Sequence, residues 1–447
     1  MANFSKSSIP QFSVDVYQNE FLPEGGREVN AIVTVTSTGG GTVGPAVSAP
    51  HPHGTGGNPE AAVVIMVDCS GSMDYPATKM RGAREATAAA VDALRDGVRF
   101  AVVAGTHVAR EVYPRTGGLA VADERTRADA RQALRSLSAG GGTAIGTWLR
   151  LADTLLATAE VPIRHGILLT DGRNEHESPE ALREALDACA GRFTCDARGV
   201  GTDWEVKEVT GIASALLGTA DIVADPAGLA ADFTQMMEST MGKEVADVAL
   251  RLWTPMGARV AFVKQVAPNV EELTERRTEA GPRAGDYPTG SWGDESRDYH
   301  VCVEVAPAGI GQEMLAARVS LVVPEPDGSV RPLSQGLVRA VWTDDMSAST
   351  SINPQVAHYT GQEELAQVIQ QGLDARKSGD VDGATAKLGR AVQLASASGN
   401  EDTAKLLAKV VDVVDAAAGT VRLKAKVAEA DEMTLETRST KTVRVKK

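Results

Sequence analysis

Several large classes of protein are excluded by what this 447-residue chain has little of. Aromatic residues make up only 4%, so its cores must be built from Ala, Val and Leu. Four cysteines, Cys69, Cys189, Cys195 and Cys302, include no CxxC pair and are too sparse for a disulfide scaffold. Reduced thiols are therefore expected. The longest apolar run, Ala61–Val67, falls far short of the roughly 20 residues needed to span a bilayer. The N-terminus, MANFSKSSIPQFSV, lacks the apolar centre of a secretory signal. A cytoplasmic protein without a membrane span is the expectation. Positive charge is also in deficit: 45 Lys and Arg face 59 Asp and Glu, a net charge of −14. That balance argues against nucleic-acid binding, which needs a basic surface. Walker A, GxSxG and HExxH motifs are absent, and with them the usual marks of nucleotide, ester and peptide hydrolysis.

What is present changes character along the chain. Residues 11–37 alternate as strands do, with a turn at Glu24–Gly26, and a Gly/Pro/His-rich loop or linker, Gly39–Asn58, follows. His51 and His53 in that loop lack the further ligands a transition-metal site requires. From Ala61 to about Met241, short apolar runs alternate with helical stretches, including AAVVIMV (61–67), VRFAVVAG (98–105) and HGILLT (165–170). Alternation of this length implies a doubly wound parallel sheet with right-handed crossovers. From Val245 to Trp342 five strand-like segments return, as in a β-sandwich that pairs with the N-terminal strands. Residues 358–418 read as a helical hairpin, of which LDARKSGD and ATAKLGRAVQLA resemble one degenerate tetratricopeptide unit. The last segment is rich in Thr and charge: residues 420–447 hold eight Lys or Arg and four Asp or Glu. It reads as a disordered basic tail.

The expected fold is thus an α/β doubly wound parallel sheet inserted in or next to an all-β sandwich, with a C-terminal α-helical region. The divisions fall at 1–58 (strands and linker), 59–242 (α/β), 243–345 (sandwich), 355–419 (helical) and 420–447 (tail).

One constellation carries chemistry. In VVIMVDCSGSMD a buried strand ends and Asp68, Ser70 and Ser72 follow at alternate positions before a helix. Open α/β sheets bind ligands at such carboxyl ends. SAGGGTAIG (138–146) offers Thr143 in a Gly-rich loop, and LLTDGRN (168–174) offers Asp171 at the end of another apolar strand. Hydroxyls and carboxylates are hard donors, suited to Mg²⁺ or Mn²⁺ and poorly suited to soft metals.

DxSxS, Thr in a GGT loop and Asp in TDG together resemble the metal-ion-dependent adhesion site of von Willebrand factor A domains, over roughly residues 60–240. The resemblance implies that Ser70 and Ser72 bind the metal directly, that Asp68 and Asp171 act through water, and that Thr143 binds directly when ligand is present. It also implies a position left open for an Asp or Glu of a partner protein. The β–α/β–β layout is similar to bacterial members with an inter-alpha-trypsin-inhibitor-like arrangement. The function so implied is a Mg²⁺- or Mn²⁺-dependent protein-binding adaptor and not an enzyme. An alternative within the family is the substrate-recognition partner of a separate MoxR-type AAA+ ATPase. A metal-dependent hydrolase is disfavoured, because no general base lies beside an activated nucleophile.

Other residues weigh less. Cys69, inside the metal loop, reads as a small buried residue. Asn174, Glu175, His176 and Glu177 read as a solvated loop at the rim of the site. In the tail, Thr434 and Thr437 follow Glu429, Asp431 and Glu432 and are candidates for phosphorylation by a Ser/Thr kinase, with an FHA-type phosphothreonine reader as the implied partner.

Overall fold

A computed structural model describes residues 10–38, 60–325 and 328–445. The HPH segment lies outside the described residues. The chain forms two compact units, one spanning 60–246 of the described residues and the other 10–38 with 247–445.

The first unit is built on a sheet whose strand order is Ala220–Val223, Thr194–Val200, Ile163–Thr170, Ala61–Asp68, Arg99–Gly105 and Arg110–Tyr113. The first five run parallel; Arg110–Tyr113 and the short Ala120–Val121 add antiparallel pairing to Arg99–Gly105. Ala61–Asp68 is central, hydrogen-bonded on both sides and buried at every position, which explains its unbroken apolar run. One face carries Val63, Ile65 and Val67 against Met80, Ala83, Ala86 and Ala90 of helix Thr78–Asp92, and against Phe233 and Met237 of helix Leu229–Met241. The small alanines allow this helix to approach the sheet closely, so the scarcity of aromatics does not leave the core loose.

Register sets the site. Asp68 pairs with Gly105 on one side, and Val67 pairs with Leu169 on the other, which places Thr170 beside Asp68. Three strands therefore end at one level of the sheet, and the loops that follow them share one edge. The apolar runs named from the sequence are three adjacent parallel strands of this sheet; Arg110–Tyr113 and Ala120–Val121 were missed, being too short to show a period.

The second unit contains two large sheets and one short two-stranded one. The five-stranded sheet runs Gln11–Gln18, Glu28–Thr38, Glu295–Val305, Ala258–Ala267 and Glu271–Glu272. The six-stranded sheet runs Thr278–Gly281, Ala284–Trp292, Val245–Trp253, Glu313–Pro324, Val330–Trp342 and Phe21–Leu22. Glu28–Thr38 pairs in register with Glu295–Val305, so the α/β segment is inserted in the chain between two neighbouring strands of one sheet.

Helix Pro354–Ser378 packs Val356 and Tyr359 on Ile32, Val266 and Ala267 of the five-stranded sheet. With Val381–Ser398 and Glu401–Val410 it surrounds a core of Leu365, Ile369, Leu373, Leu388, Ala391 and Leu407. The region is therefore more than the hairpin read from the sequence. A third helix follows, then a β-hairpin of Val411–Asp415 and Thr420–Leu423.

The reading of 420–447 as a disordered tail is corrected. Thr420–Leu423 is a strand and Glu429–Arg438 is a helix whose Leu435 is fully buried in the helical core. Charge misled the composition argument because these charges have fixed partners. Arg376 Nε lies 2.6 Å from Glu432, Lys377 Nζ 2.7 Å from Glu436 and Lys409 Nζ 2.9 Å from Asp431. Two or three well-placed aliphatic side chains, Val421, Met433 and Leu435, are enough to dock a short helix on a core that already exists.

Candidate metal centre

The five residues singled out by sequence converge at the carboxyl edge of the parallel sheet. Asp68 ends its strand fully buried. Its Oδ1 accepts the Ser70 backbone N–H at 2.8 Å, and its Oδ2 accepts the Thr170 hydroxyl at 2.7 Å. The Ser70 and Ser72 hydroxyls are 2.9 Å apart, and Ser72 Oγ donates to Asp171 Oδ1 at 2.7 Å. Thr143, the fifth residue, is located through Gly172. A Cβ placed there would sit 3.1 Å from Ser72 Oγ and 3.9 Å from Thr143 Oγ1, so both hydroxyls face one small space beside its backbone. Asp68, Ser70, Thr143 and Asp171 are buried, while Ser72 is exposed and opens the cluster to solvent.

Backbone hydrogen bonds hold the loops in this arrangement. Gly71 N–H donates to Gly141 O at 2.9 Å and Gly140 N–H to Cys69 O at 2.9 Å, joining the serine turn to the Gly-rich loop. Cys69 N–H donates to Gly105 O at 2.8 Å, and Ala144 N–H to Thr106 O at 3.1 Å. Gly141 adopts φ +83°, a left-handed conformation that favours glycine. Each loop thus depends on another that is distant in sequence.

The segment 174–177, read from sequence as a solvated rim, does structural work in part. Helix Ile145–Ala157, which begins two residues after Thr143, has no side-chain cap of its own. Asn174 Oδ1 accepts from Ile145 N at 2.8 Å and Glu177 Oε1 accepts from Gly146 N at 2.6 Å. The orphan amides of the first turn are thereby satisfied from another loop. His176 Nδ1 accepts from Thr143 N at 3.2 Å, and His107 Nδ1 from Gly142 N at 3.4 Å. Sequence reasoning missed His107. The signal was the run Gly140–Gly142, since a Cβ at Gly142 would lie 2.3 Å from the His176 ring and one at Gly141 2.8 Å from His107 Nδ1. Glu175 and His176 are exposed, as the rim reading expects.

The electrostatics suit a cation. Burial pushes the Asp68 carboxyl up to about 6, against the lowering effect of its hydrogen bonds from Ser70 and Thr170. A buried carboxylate is costly unless it is compensated. Lys79, from helix Thr78–Asp92, places Nζ 2.7 Å from Asp171 Oδ2 and 3.1 Å from Asp203 Oδ2. Burial opposes the Lys79 charge, but the two carboxylates outweigh it and raise its pKa. Lys79 was not singled out from the sequence; its place in the first turn of an Ala-rich helix gave no sign that it points at the site. The Cys69 thiol is buried and pushed up to about 12, also mainly by burial, as expected of a small residue packed in the core.

The donor set fits a hard divalent ion. It offers hydroxyl and carboxylate oxygens, with no thiolate and no imidazole among the five. Among the described residues no group of three or more His, Cys, Asp or Glu is placed to hold a metal ion.

The phosphorylation candidates are placed differently from the reading of the tail. Thr434 and Thr437 lie in helix Glu429–Arg438, and their hydroxyls donate to the backbone carbonyls of Ala430 and Met433. Thr437 is buried and Thr434 half-buried. A kinase must hold its target segment extended, and neither hydroxyl is free for that in the folded chain. No described helix is long and apolar enough to cross a membrane.

Comparison with known proteins agrees with the geometry. Residues 61–222 match a family model described as the von Willebrand factor type A domain. Residues 393–439 match one described as the von Willebrand factor type A C-terminal domain. The latter match includes the whole of helix Glu429–Arg438, which the composition argument read as tail. Among solved structures, the chain is similar to a von Willebrand factor type A protein from Catenulispora acidiphila, with 53% identity over 99% of both chains and a TM-score of 0.91. It is also similar to the ArnB paralog VWA2 from Sulfolobus acidocaldarius, with 14% identity, 96% of this chain and 98% of that one covered, and a TM-score of 0.60. At that identity the likeness concerns the fold. No curated protein matches the chain.

Proposed function

Because the chain belongs to the von Willebrand factor type A family, we propose that it is a Mg²⁺- or Mn²⁺-dependent binding protein that captures an acidic side chain of a partner protein. The observation that carries this reading is the convergence of Asp68, Ser70, Ser72, Thr143 and Asp171 at one sheet edge, with Ser72 exposed. Ser70, Ser72 and Thr143 would hold the ion, with Asp68 and Asp171 behind them. A bound divalent ion would supply a Lewis-acidic position that an Asp or Glu of the partner can occupy. The chain's own part is orientation: Asp68 fixes the serine turn through the Ser70 amide, and Asp171 fixes the Ser72 hydroxyl.

A binding role is favoured over catalysis. Burial holds the Cys69 thiol well above its ordinary pKa, the Ser72 hydroxyl donates to Asp171 and the Ser70 hydroxyl pairs with Ser72, and among the described residues no imidazole is hydrogen-bonded to either serine hydroxyl. The insertion of the α/β segment between paired strands supports the inter-alpha-trypsin-inhibitor-like arrangement. The phosphothreonine route through Thr434 and Thr437 is not carried forward, given their engaged hydroxyls.

The test is calorimetric titration of the metal-free full chain with Mn²⁺ and Mg²⁺, followed by capture of partners from a native lysate with and without EDTA. The reading expects one saturable site that Ser70→Ala and Ser72→Ala weaken, and partners that EDTA releases. A wild-type chain that binds neither ion would overturn it.

A further inference from the structure

Helix Thr78–Asp92 carries a lysine where helices disfavour one. Lys79 lies in its first turn, at the positive end of the helix dipole, and no acidic residue of that turn balances it. Its side chain is only 8% exposed. Burying an ammonium in such a place requires compensation, and the compensation comes from outside the helix. Asp171 Oδ2 lies 2.7 Å away and Asp203 Oδ2 3.1 Å. Gly201, at φ +70°, lies beside the stem: Lys79 Cε is 3.8 Å from its Cβ position, an ordinary van der Waals contact. The two oxygens of Asp171 are thus divided. Oδ1 takes the Ser72 hydroxyl on the open side of the cluster, and Oδ2 is tied to a cation that belongs to the chain. Asp203 is the outer member of the triad, with a side chain 69% exposed.

We infer that Lys79 is a positioning residue that sets the charge of the metal site: its ammonium takes one oxygen of Asp171, lowering the site's affinity for a divalent ion and leaving the held ion more attractive to a carboxylate. This rests on the metal-dependent reading above. The charge count gives the direction. Asp68 and Asp171 contribute −2 when ionised, and Lys79 brings the sum to −1. Whatever Asp203 adds to the sum, removing Lys79 takes one positive charge from beside the ion. The ion is then held more tightly and attracts a partner's carboxylate less. A charge within a few ångströms of both ion and ligand acts on each by Coulomb's law, with opposite signs. Asp203 tunes the effect, since it draws part of the ammonium's field away from Asp171.

The experiment uses the full chain with Mn²⁺ alone, then acetate as the carboxylate probe. Calorimetry reads Mn²⁺ affinity. Water-proton relaxation at the Mn²⁺-loaded site reads acetate, which lowers relaxivity by displacing bound water. Lys79→Met, which keeps the stem and removes the charge, is expected to bind Mn²⁺ about tenfold more tightly and acetate about threefold more weakly. Asp203→Asn, a change at an exposed side chain, is expected to act in the opposite sense, with Mn²⁺ about twofold weaker. If Lys79 only braces the loops, Lys79→Met will weaken both ligands, and the inference is overturned; unchanged Mn²⁺ affinity overturns it equally. Should Lys79→Met fail to fold, Asp203→Asn decides, and unchanged or tighter Mn²⁺ binding refutes the inference. Failure of the metal reading itself looks different: the wild-type chain then binds no Mn²⁺.

Discussion

Asp68 Oδ2 accepts the Thr170 hydroxyl at 2.7 Å across 102 residues of chain, tying the first site residue to the strand that ends one residue before the last. This bond holds a carboxylate in a place where burial disfavours its charge. Its pKa of about 6 lies above the ordinary 3.8, so ionisation costs the folded state, and the sign follows. The penalty is absent below about pH 4 and complete above about pH 6, with an upper size of about 3 kcal/mol. In the metal-free protein Asp68→Asn should therefore match or exceed wild-type thermal stability at pH 7, with an advantage that shrinks as pH falls toward 4. The same variant should lose the stabilisation that Mg²⁺ gives the wild type. Melting curves at pH 4.5 and 7, each with and without Mg²⁺, check both halves. A Mg²⁺-induced shift that survives in Asp68→Asn would contradict the role given to this carboxylate.

Gly172 tests the geometry from the other side. Its Cβ position lies 3.1 Å from Ser72 Oγ, so an added methyl must push that hydroxyl by a few tenths of an ångström. Gly172 is not among the positive-φ residues, and alanine meets no backbone strain there. Gly172→Ala should then leave the melting temperature of the metal-free chain within a degree or two while weakening Mn²⁺ binding about tenfold. Loss of stability without loss of affinity would place the crowding elsewhere.

How legible the site was depends on which interactions built it. Asp68, Ser70, Ser72, Thr143 and Asp171 could be read because each stands at a fixed offset from an apolar strand or a glycine run, and those patterns are local. His107, Lys79, Asn174 and Glu177 were missed or misread because their roles depend on loops that meet only after the sheet forms. The parallel strands were legible for the same local reason: a strand buried on both faces shows an unbroken apolar run, as in Ala61–Asp68. The tail was not. Its charged residues look solvated in one dimension, and only the fold supplies Arg376, Lys377 and Lys409 as partners.

Glu208 gives a pH dependence separate from the metal ligands. It lies in helix Val206–Ala215 and accepts from Asn174 N at 3.2 Å. Burial, with Glu177 and Glu205 nearby, pushes its carboxyl up to about 7. A raised carboxyl contributes stability that is fully present below about pH 4.5 and lost as pH rises through 7. Glu208→Gln keeps the acceptor oxygen and removes the charge. It should stabilise the chain by about 1–2 kcal/mol at pH 8 and by almost nothing at pH 4.5. Chemical denaturation at the two pH values measures the difference, and an equal effect at both would show that Glu208 is ionised throughout.

The C-terminal helix supplies the last prediction, because it decides whether residues 429–438 belong to the fold. Leu435 is fully buried among Leu365, Ile369 and Leu388, and Thr437 is 4% exposed with its hydroxyl on Met433 O at 2.7 Å. Truncating a leucine in such a place removes apolar contact and leaves a cavity, so Leu435→Ala should cost about 2–5 kcal/mol. Thr437→Val keeps the shape and loses one hydrogen bond within the helix; its cost should be about 1 kcal/mol or less. Thr437→Glu forces a longer, charged side chain into a buried position, and should destabilise the region far more than Thr437→Val. A solvated tail makes the reverse claim: all three substitutions would be silent. Hydrogen exchange of the 429–438 amides separates the two. Slow exchange in the wild type, faster exchange in Leu435→Ala and Thr437→Glu, and near-wild-type protection in Thr437→Val are expected. Rapid exchange in the wild type would return this segment to the solvent and reopen Thr434 and Thr437 to a kinase.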